Sequence, residues 1–184
     1  MKRMTLSTAL TLAIVLAFGA SAYAQNVHLK PPHANPSFVD GGLVLTASAS
    51  LAGLSGANLV IALNATANAT ATCTNPGGSA NQPPGQNPAP VSVSGVLPVS
   101  GDQIKNGNLS FTLMTGGPQT PIPGAPGCPN SSWTEDITDL AFTSATITVF
   151  QPNPPGTNPV FTVTCSFSPA TTNGNVPDSS VSCQ

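Results

Sequence analysis

The chain has 184 residues and few charges, with four Lys or Arg, six Asp or Glu and a formal net charge of −2. Charged residues make up 5% of it, against about 25% in ordinary globular domains, so its surface must be built from Ser, Thr, Asn and Gln. Such scarce cations exclude nucleic acid as a partner and disfavour an anionic membrane surface, because both require clustered Lys and Arg.

Residues 1–24 predict a secretory signal peptide. A basic start at Lys2 and Arg3 precedes an apolar run, which ends in a small-x-small cleavage site at 22–24. The apolar run is about a dozen residues long, too short to cross a bilayer as a helix. We therefore expect a secreted or extracellular protein, with the periplasm or cell surface also open, and no membrane insertion after cleavage.

The segment 25–42 predicts an extended N-terminal stretch ahead of a β-sandwich domain at 43–184. Prolines interrupt this segment, and it shows no clean alternation of apolar and polar residues. It contains both histidines of the chain, His28 and His33. Neither is a catalytic candidate, because a general base needs a rigidly held position that a loosely held segment does not supply.

The longest regular pattern runs from Leu59 to Cys73 and predicts a β-strand. From Leu63 onward apolar residues, mostly Ala, alternate with Asn or Thr without a break. This period of two is that of a strand with one buried and one solvated face. A helix would spread the alanines around its circumference.

Other stretches predict strands at 43–51, 91–99, 109–113, 133–149, 161–167 and 179–183. Gly95 breaks the alternation of its stretch and predicts a β-bulge. The apolar phase also slips between Phe142 and Ala145, which indicates either two strands or one bulged strand. No segment after the signal has helical periodicity. Seven or eight short strands predict an all-β, single-domain antiparallel β-sandwich of immunoglobulin-like architecture.

Most prolines fall into three loops, at 75–90, 116–130 and 151–159. If successive strands alternate in direction and the region with the phase slip counts as two strands, all three loops lie at one pole of the sandwich. Prolines reduce the freedom of the unfolded chain, so such loops order on binding at little entropic cost. The sequence therefore predicts a Pro-rich pole as an interaction surface.

The four cysteines are an even number in a chain with an export signal, and they predict two disulfides. Of the three possible pairings we favour Cys73–Cys128 with Cys165–Cys183. The first pair borders Pro-rich loops, and the second closes a short terminal loop. The alternative is a zinc site, for which the sequence lacks a close CxxC pair or a neighbouring histidine.

Glu135, Asp136 and Asp139 form the only acidic cluster, beside the only tryptophan, Trp133. On an unbroken strand, Glu135 and Asp139 would share one face, with Asp136 on the other. These four residues are the candidate ligand-binding set, for Ca²⁺ with loop carbonyls or for a sugar stacked on the indole. The simpler interpretations are a solvated strand end and a packed tryptophan. No catalytic residue, metal ligand or cofactor is predicted.

Several short motifs lie in the loops and at the predicted strand ends. They are Cys73-Thr-Asn-Pro-Gly-Gly, Pro84-Gly-Gln-Asn-Pro, Lys105-Asn-Gly, and Gly127-Cys-Pro-Asn followed by Trp133-Thr. This set resembles a family of small secreted bacterial proteins of uncharacterised function, and the similarity spans most of the chain after the signal. The resemblance implies an exported domain and carries over no functional residue.

These features favour a non-enzymatic secreted or cell-envelope protein with a structural or adhesive role. Low charge leaves little repulsion between copies, so self-association through sheet edges is one expected contact. The alternative is a carbohydrate- or Ca²⁺-dependent binding module that uses the Pro-rich loops, with a surface glycan as its partner. A secreted hydrolase is the least favoured class, because so few side chains suited to catalysis are present.

Overall fold

The computed structural model describes residues 26–31, 35–77, 88–151 and 159–184, so the predicted signal peptide lies outside the described residues. Strands dominate these residues, with single 3₁₀ turns at Gly101–Gln103 and Asp178–Ser180. The strands are β1 His28–Leu29, β2 Ser37–Asp40, β3 Leu45–Ala52, β4 Leu59–Thr74, β5 Val91–Val99, β6 Leu109–Met114, β7 Thr134–Phe150, β8 Phe161–Phe167, β9 Gly174–Asn175 and β10 Val181–Cys183.

The strands form two antiparallel sheets, which confirms the predicted all-β sandwich. In sheet 1, β3 is central. It pairs with β6 along one edge and with β1 and β2 along the other. The short strand β9 pairs with the outer edge of β2. Sheet 2 has the order β10-β8-β7-β4-β5. The inner faces of both sheets form one core, in which Leu59, Ile61 and Leu63 are fully buried. Each such side chain contributes about 1.5–3 kcal/mol by leaving water.

The long pair of β4 and β7 lies at the centre of sheet 2. The alanines of β4 point into the core and its Asn and Thr side chains point outward, as the alternation predicts. β7 is one strand with two bulges, at Thr138 and Thr143, where its register against β4 shifts. The Thr138 hydroxyl donates to the Thr70 carbonyl at 3.3 Å, and the Thr143 hydroxyl donates to the Thr66 carbonyl at 3.2 Å. The phase slip in the sequence therefore marks a bulge and not a strand end.

The three Pro-rich loops do not share one pole, because β7 is one strand and not two. β7 begins at Thr134 opposite Thr74, so the first two loops meet at one end of the sandwich. It ends at Phe150 opposite Val60, so the third loop starts at the other end. The prediction of a single pole for all three is wrong. The middle parts of the first and third loops lie outside the described residues.

Both predicted disulfides are confirmed. Cys73–Cys128 ties the end of β4 to the loop that precedes β7, over a sequence separation of 55. Cys165 and Cys183 lie directly opposite each other on β8 and β10, over a separation of 18. The first bond closes the end of the sandwich where two Pro-rich loops meet, and the second holds the short C-terminal strand on sheet 2.

The strand β2 lies in the N-terminal segment, where the sequence predicts no strand. Phe38 of β2 is buried and packs edge-on against Phe167 of β8, with ring centroids 5.0 Å apart. This contact joins sheet 1 to sheet 2. A four-residue strand between Pro36 and Gly41 offers too few alternating positions to stand out in the sequence.

Asp40, at the end of β2, is a buried carboxylate with hydrogen-bond partners on both oxygens. It accepts the N–H of Gly42 at 2.8 Å and the hydroxyl of Thr171. The same Thr171 hydroxyl accepts the N–H of Phe142, on β7, at 2.8 Å. This chain of bonds links the two sheets through groups that would otherwise be buried without partners.

Gly95 is needed for the close approach of β5 to β6 and does not form the predicted bulge. β5 pairs with β4 in continuous register, with Gly95 opposite Leu63. A Cβ on Gly95 would overlap the carbonyl oxygen of Met114 and lie 3.1 Å from the Cα of Thr115. These are backbone atoms that no side-chain rotation can move. The glycine therefore serves the contact between the edges of the two sheets.

Gly95→Ala is expected to lower the free energy of unfolding by about 1–3 kcal/mol, because the added methyl forces the two edge strands apart. The matched control is Gly56→Ala, since a Cβ at Gly56 meets nothing within 4 Å. The control is expected to change stability by less than about 0.5 kcal/mol. Urea unfolding of the oxidised proteins measures both, and equal stabilities for the two variants would contradict this account of the strand contact.

Candidate ligand-binding groove

A groove of about 640 Å³ lies on the outer face of sheet 1. Its lining includes a patch of hydroxyl side chains from three neighbouring strands: Ser37 of β2, Ser48 and Ser50 of β3, and Ser110 and Thr112 of β6. They share the face because alternate residues of a strand point the same way. We call this feature the hydroxyl groove.

Four of these hydroxyls are paired across β3 and β6. The oxygens of Ser48 and Thr112 are 2.8 Å apart, and those of Ser50 and Ser110 are 2.7 Å apart. A pair of hydroxyls has two O–H donors and uses only one of them internally. Each pair therefore keeps one donor and several lone pairs for a ligand, in positions fixed by the strand pairing.

The groove opens where the N-terminal chain leaves the edge of β3. Pairing of β1 with β3 ends before Pro31, and pairing of β2 begins after Pro36. Proline has no N–H to donate to a strand ladder, so neither residue can continue the pairing. Pro31 is exposed and adds apolar surface to the lining of this opening. The lining therefore combines hydroxyls with apolar contacts.

A second cavity, of about 430 Å³, adjoins the hydroxyl groove and shares Lys30, Ser50 and Ser110 with it. Its lining also includes Lys105, so this cavity contains both cations that follow the predicted signal. The backbone of each lysine is anchored. The N–H of Lys30 donates to the Ser50 carbonyl at 2.8 Å, and that of Lys105 donates to the Asn108 carbonyl at 2.9 Å. We call this second cavity the lysine end of the groove.

Glu135, by contrast, is a structural carboxylate with 0% of its surface exposed. Its Oε2 accepts the N–H of Gly127 at 2.9 Å, and its backbone carbonyl accepts the N–H of Ile122 at 2.8 Å. Its Oε1 is buried with no hydrogen-bond partner in the described part of the chain. Glu135 therefore holds the loop that carries Cys128 against the sandwich. The interpretation of this residue as part of a solvated strand end is wrong.

The other two acids of the cluster point away from Glu135. Asp136 and Asp139 pair with outward-facing threonines of β4, so both lie on the outer face of sheet 2. The bulge at Thr138 adds a residue between Glu135 and Asp139 and thereby changes which positions face inward. The prediction that Glu135 and Asp139 share a face is wrong for this reason.

Trp133 is a half-buried loop residue just before β7. Its backbone N–H donates to the Asn130 carbonyl at 3.2 Å, and the Asn130 side chain accepts the N–H of Ser132 at 3.0 Å. The described lining of the hydroxyl groove and of its lysine end includes neither Trp133 nor any acid of the 135–139 cluster. The four predicted ligand-binding residues thus do not meet in either cavity.

Among residues 26–31, 35–77, 88–151 and 159–184, no group of three or more His, Cys, Asp or Glu side chains is placed to hold a metal ion. No helix within the same ranges is long and apolar enough to cross a membrane. Comparisons with protein families, with curated proteins and with solved structures found no match to this chain.

Sequence reasoning does not find the hydroxyl groove. Its Ser and Thr residues are unremarkable in a chain built from these residues, and the hydroxyls that pair across β3 and β6 lie 60 and 64 residues apart in the sequence. One clue was present in the sequence, because Lys30 and Lys105 are the only cations after the predicted signal peptide. Only the pairing of β1 and β6 with opposite edges of β3 brings these two lysines to one end of one groove.

Proposed function

We propose that this protein is a non-enzymatic secreted or cell-envelope domain with an adhesive role, which binds a surface glycan in the hydroxyl groove. The observation that carries the proposal is the set of cross-strand hydroxyl pairs lining a groove that also offers apolar contacts. A sugar presents hydroxyls and C–H groups on the same ring, so it uses both kinds of lining. Ligand sites in general combine apolar walls with a few fixed polar groups.

The β5 edge of sheet 2 is poorly suited to strand addition, which favours the groove over this edge as the contact. The carbonyl of Ser94 on the edge strand β5 accepts the N–H of Gly116 at 2.8 Å and is therefore occupied. The backbone of Pro98, four residues further along β5, faces the same outer edge as that of Ser94. Proline has no N–H, so this position cannot donate to a second chain. An edge interrupted in this way is a poor template for a second chain.

The two disulfides support an exported protein, because such bonds form and persist in oxidising compartments. Both bonds lie on the sheet 2 side of the sandwich, and the groove itself is held by the pairing of β3 with β6 in sheet 1. A rigid scaffold suits adhesion, since a preformed site does not spend binding energy on ordering itself.

The test is binding of the exported, oxidised protein to an array of neutral and acidic oligosaccharides. We expect binding to at least one class, and we expect Ser50→Ala with Ser110→Ala to weaken it about tenfold or more, because two hydroxyl partners are lost. These two serines line both parts of the groove.

The matched control removes a similar hydroxyl pair from the opposite sheet. Thr146 and Thr164 lie side by side on the outer face of sheet 2, with hydroxyl oxygens 3.2 Å apart. Thr146→Val with Thr164→Val is expected to leave glycan binding unchanged. The proposal is refuted if no oligosaccharide binds, or if the two double variants bind equally well.

A further inference from the structure

The charged side chains are distributed unevenly along the hydroxyl groove. The larger part is lined by Lys30 at one side and by Asp178 at the other. The lysine end is lined by Lys30 and Lys105, and no acid is among its described lining residues. In a chain with a net charge of −2 and only two cations beyond the signal, this end is locally positive.

We infer that the glycan held in the groove is an acidic saccharide, with a carboxylate seated at the lysine end and an adjoining neutral ring over the serines. This inference rests on the proposed function and specifies its ligand. Two ammonium groups attract a carboxylate and donate hydrogen bonds to it. Asp178, at the far part of the groove, accepts hydrogen bonds from sugar hydroxyls and repels a second acid there.

The backbone contacts of the lysines make the lysine end a defined site. Lys30 follows β1 directly and its N–H is bonded to Ser50, whereas Lys105 and Asn108 exchange backbone hydrogen bonds in both directions at 2.9 Å. Both lysines line one cavity of about 430 Å³ together with Ser50 and Ser110. A negative group held in this cavity is attracted by both charges, whereas a neutral group gains hydrogen bonds but no such attraction.

The test compares two probes: a disaccharide of one uronic acid and one neutral hexose, and the methyl ester of the same disaccharide, which lacks the negative charge. We expect the acid to bind about tenfold more tightly than the ester at low salt. We also expect Lys30→Gln and Lys105→Gln each to weaken binding of the acid about threefold, and the double variant about tenfold, while binding of the ester stays unchanged. The preference for the acid is expected to shrink at high salt through screening.

The control for net charge is Asn64→Asp, on the exposed outer face of sheet 2, which changes the net charge by the same amount as one lysine variant. It is expected to leave binding of both probes unchanged. If acid and ester bind equally and the lysine variants match the wild type, the inference fails while the proposed function stands. Binding to a sulfated dextran but not to either disaccharide probe overturns the carboxylate assignment. Failure of every glycan to bind overturns the proposed function as well.

Discussion

Replacing Cys73 and Cys128 together by serine is expected to lower the free energy of unfolding by about 4 kcal/mol. The disulfide joins residues with a sequence separation of 55, and in the chain-entropy model a cross-link stabilises by restricting the unfolded chain, more so for longer loops. It also closes the end of the sandwich, where Glu135 holds the loop before β7 through Gly127. We expect the loss of the bond to loosen this end first.

The second disulfide supplies the comparison. Cys165 and Cys183 have a sequence separation of 18, so replacing both by serine is expected to lower the free energy of unfolding by about 3 kcal/mol. Denaturant unfolding followed by circular dichroism measures both double variants. A larger loss for the Cys165–Cys183 pair would contradict the loop-length argument and show that attachment of the terminal strand β10 dominates.

Asp40→Ala is expected to lower the free energy of unfolding by about 3–4 kcal/mol. Its main partner, Thr171, is remote from it in the sequence. The substitution removes a buried acceptor that serves the N–H of Gly42 and the hydroxyl of Thr171. The Thr171 hydroxyl stays buried and the Gly42 N–H stays partly buried, and a buried donor without a partner costs about 1–3 kcal/mol. The Thr171 hydroxyl also accepts from Phe142, so the loss extends to the contact between the sheets.

Two further variants separate this network from a general effect of charge. Asp102→Ala removes an exposed acid and is expected to change stability by less than about 0.5 kcal/mol. Thr171→Val combined with Asp40→Ala is expected to cost less than the sum of the single changes, because the two residues share one bond. Additive losses, or an Asp40 variant as stable as the Asp102 variant, would show that the bond contributes little.

Alternation along a strand is a local property, and it made much of this fold predictable. The period of two in β4 follows from the geometry of an extended chain, so the sequence alone indicates which residues of β4 face the core. The disulfide pairing was predictable because each cysteine borders a loop or chain end that limits its partners. The short strand β2 was not, because it is held by Phe38 and Asp40 through partners far along the chain.

The acidic cluster is a feature that local sequence patterns do not predict correctly. The bulges of β7 arise from its pairing with β4, and the residue inserted at Thr138 moves the side chains between the two bulges to the opposite face. An unbroken strand would place Glu135 and Asp139 on one face, whereas the fold buries Glu135 and places the half-buried Asp136 and Asp139 on the outer face of sheet 2.

By itself, the sequence determined the strand class of this protein, its two disulfides and its low content of charged residues. These follow from composition and from periods of a few residues. Only the tertiary structure decided where the serines and the two lysines lie, because the pairing of distant strands around β3 sets the neighbours of each side chain. The hydroxyl groove is a product of that pairing and of the prolines that interrupt it.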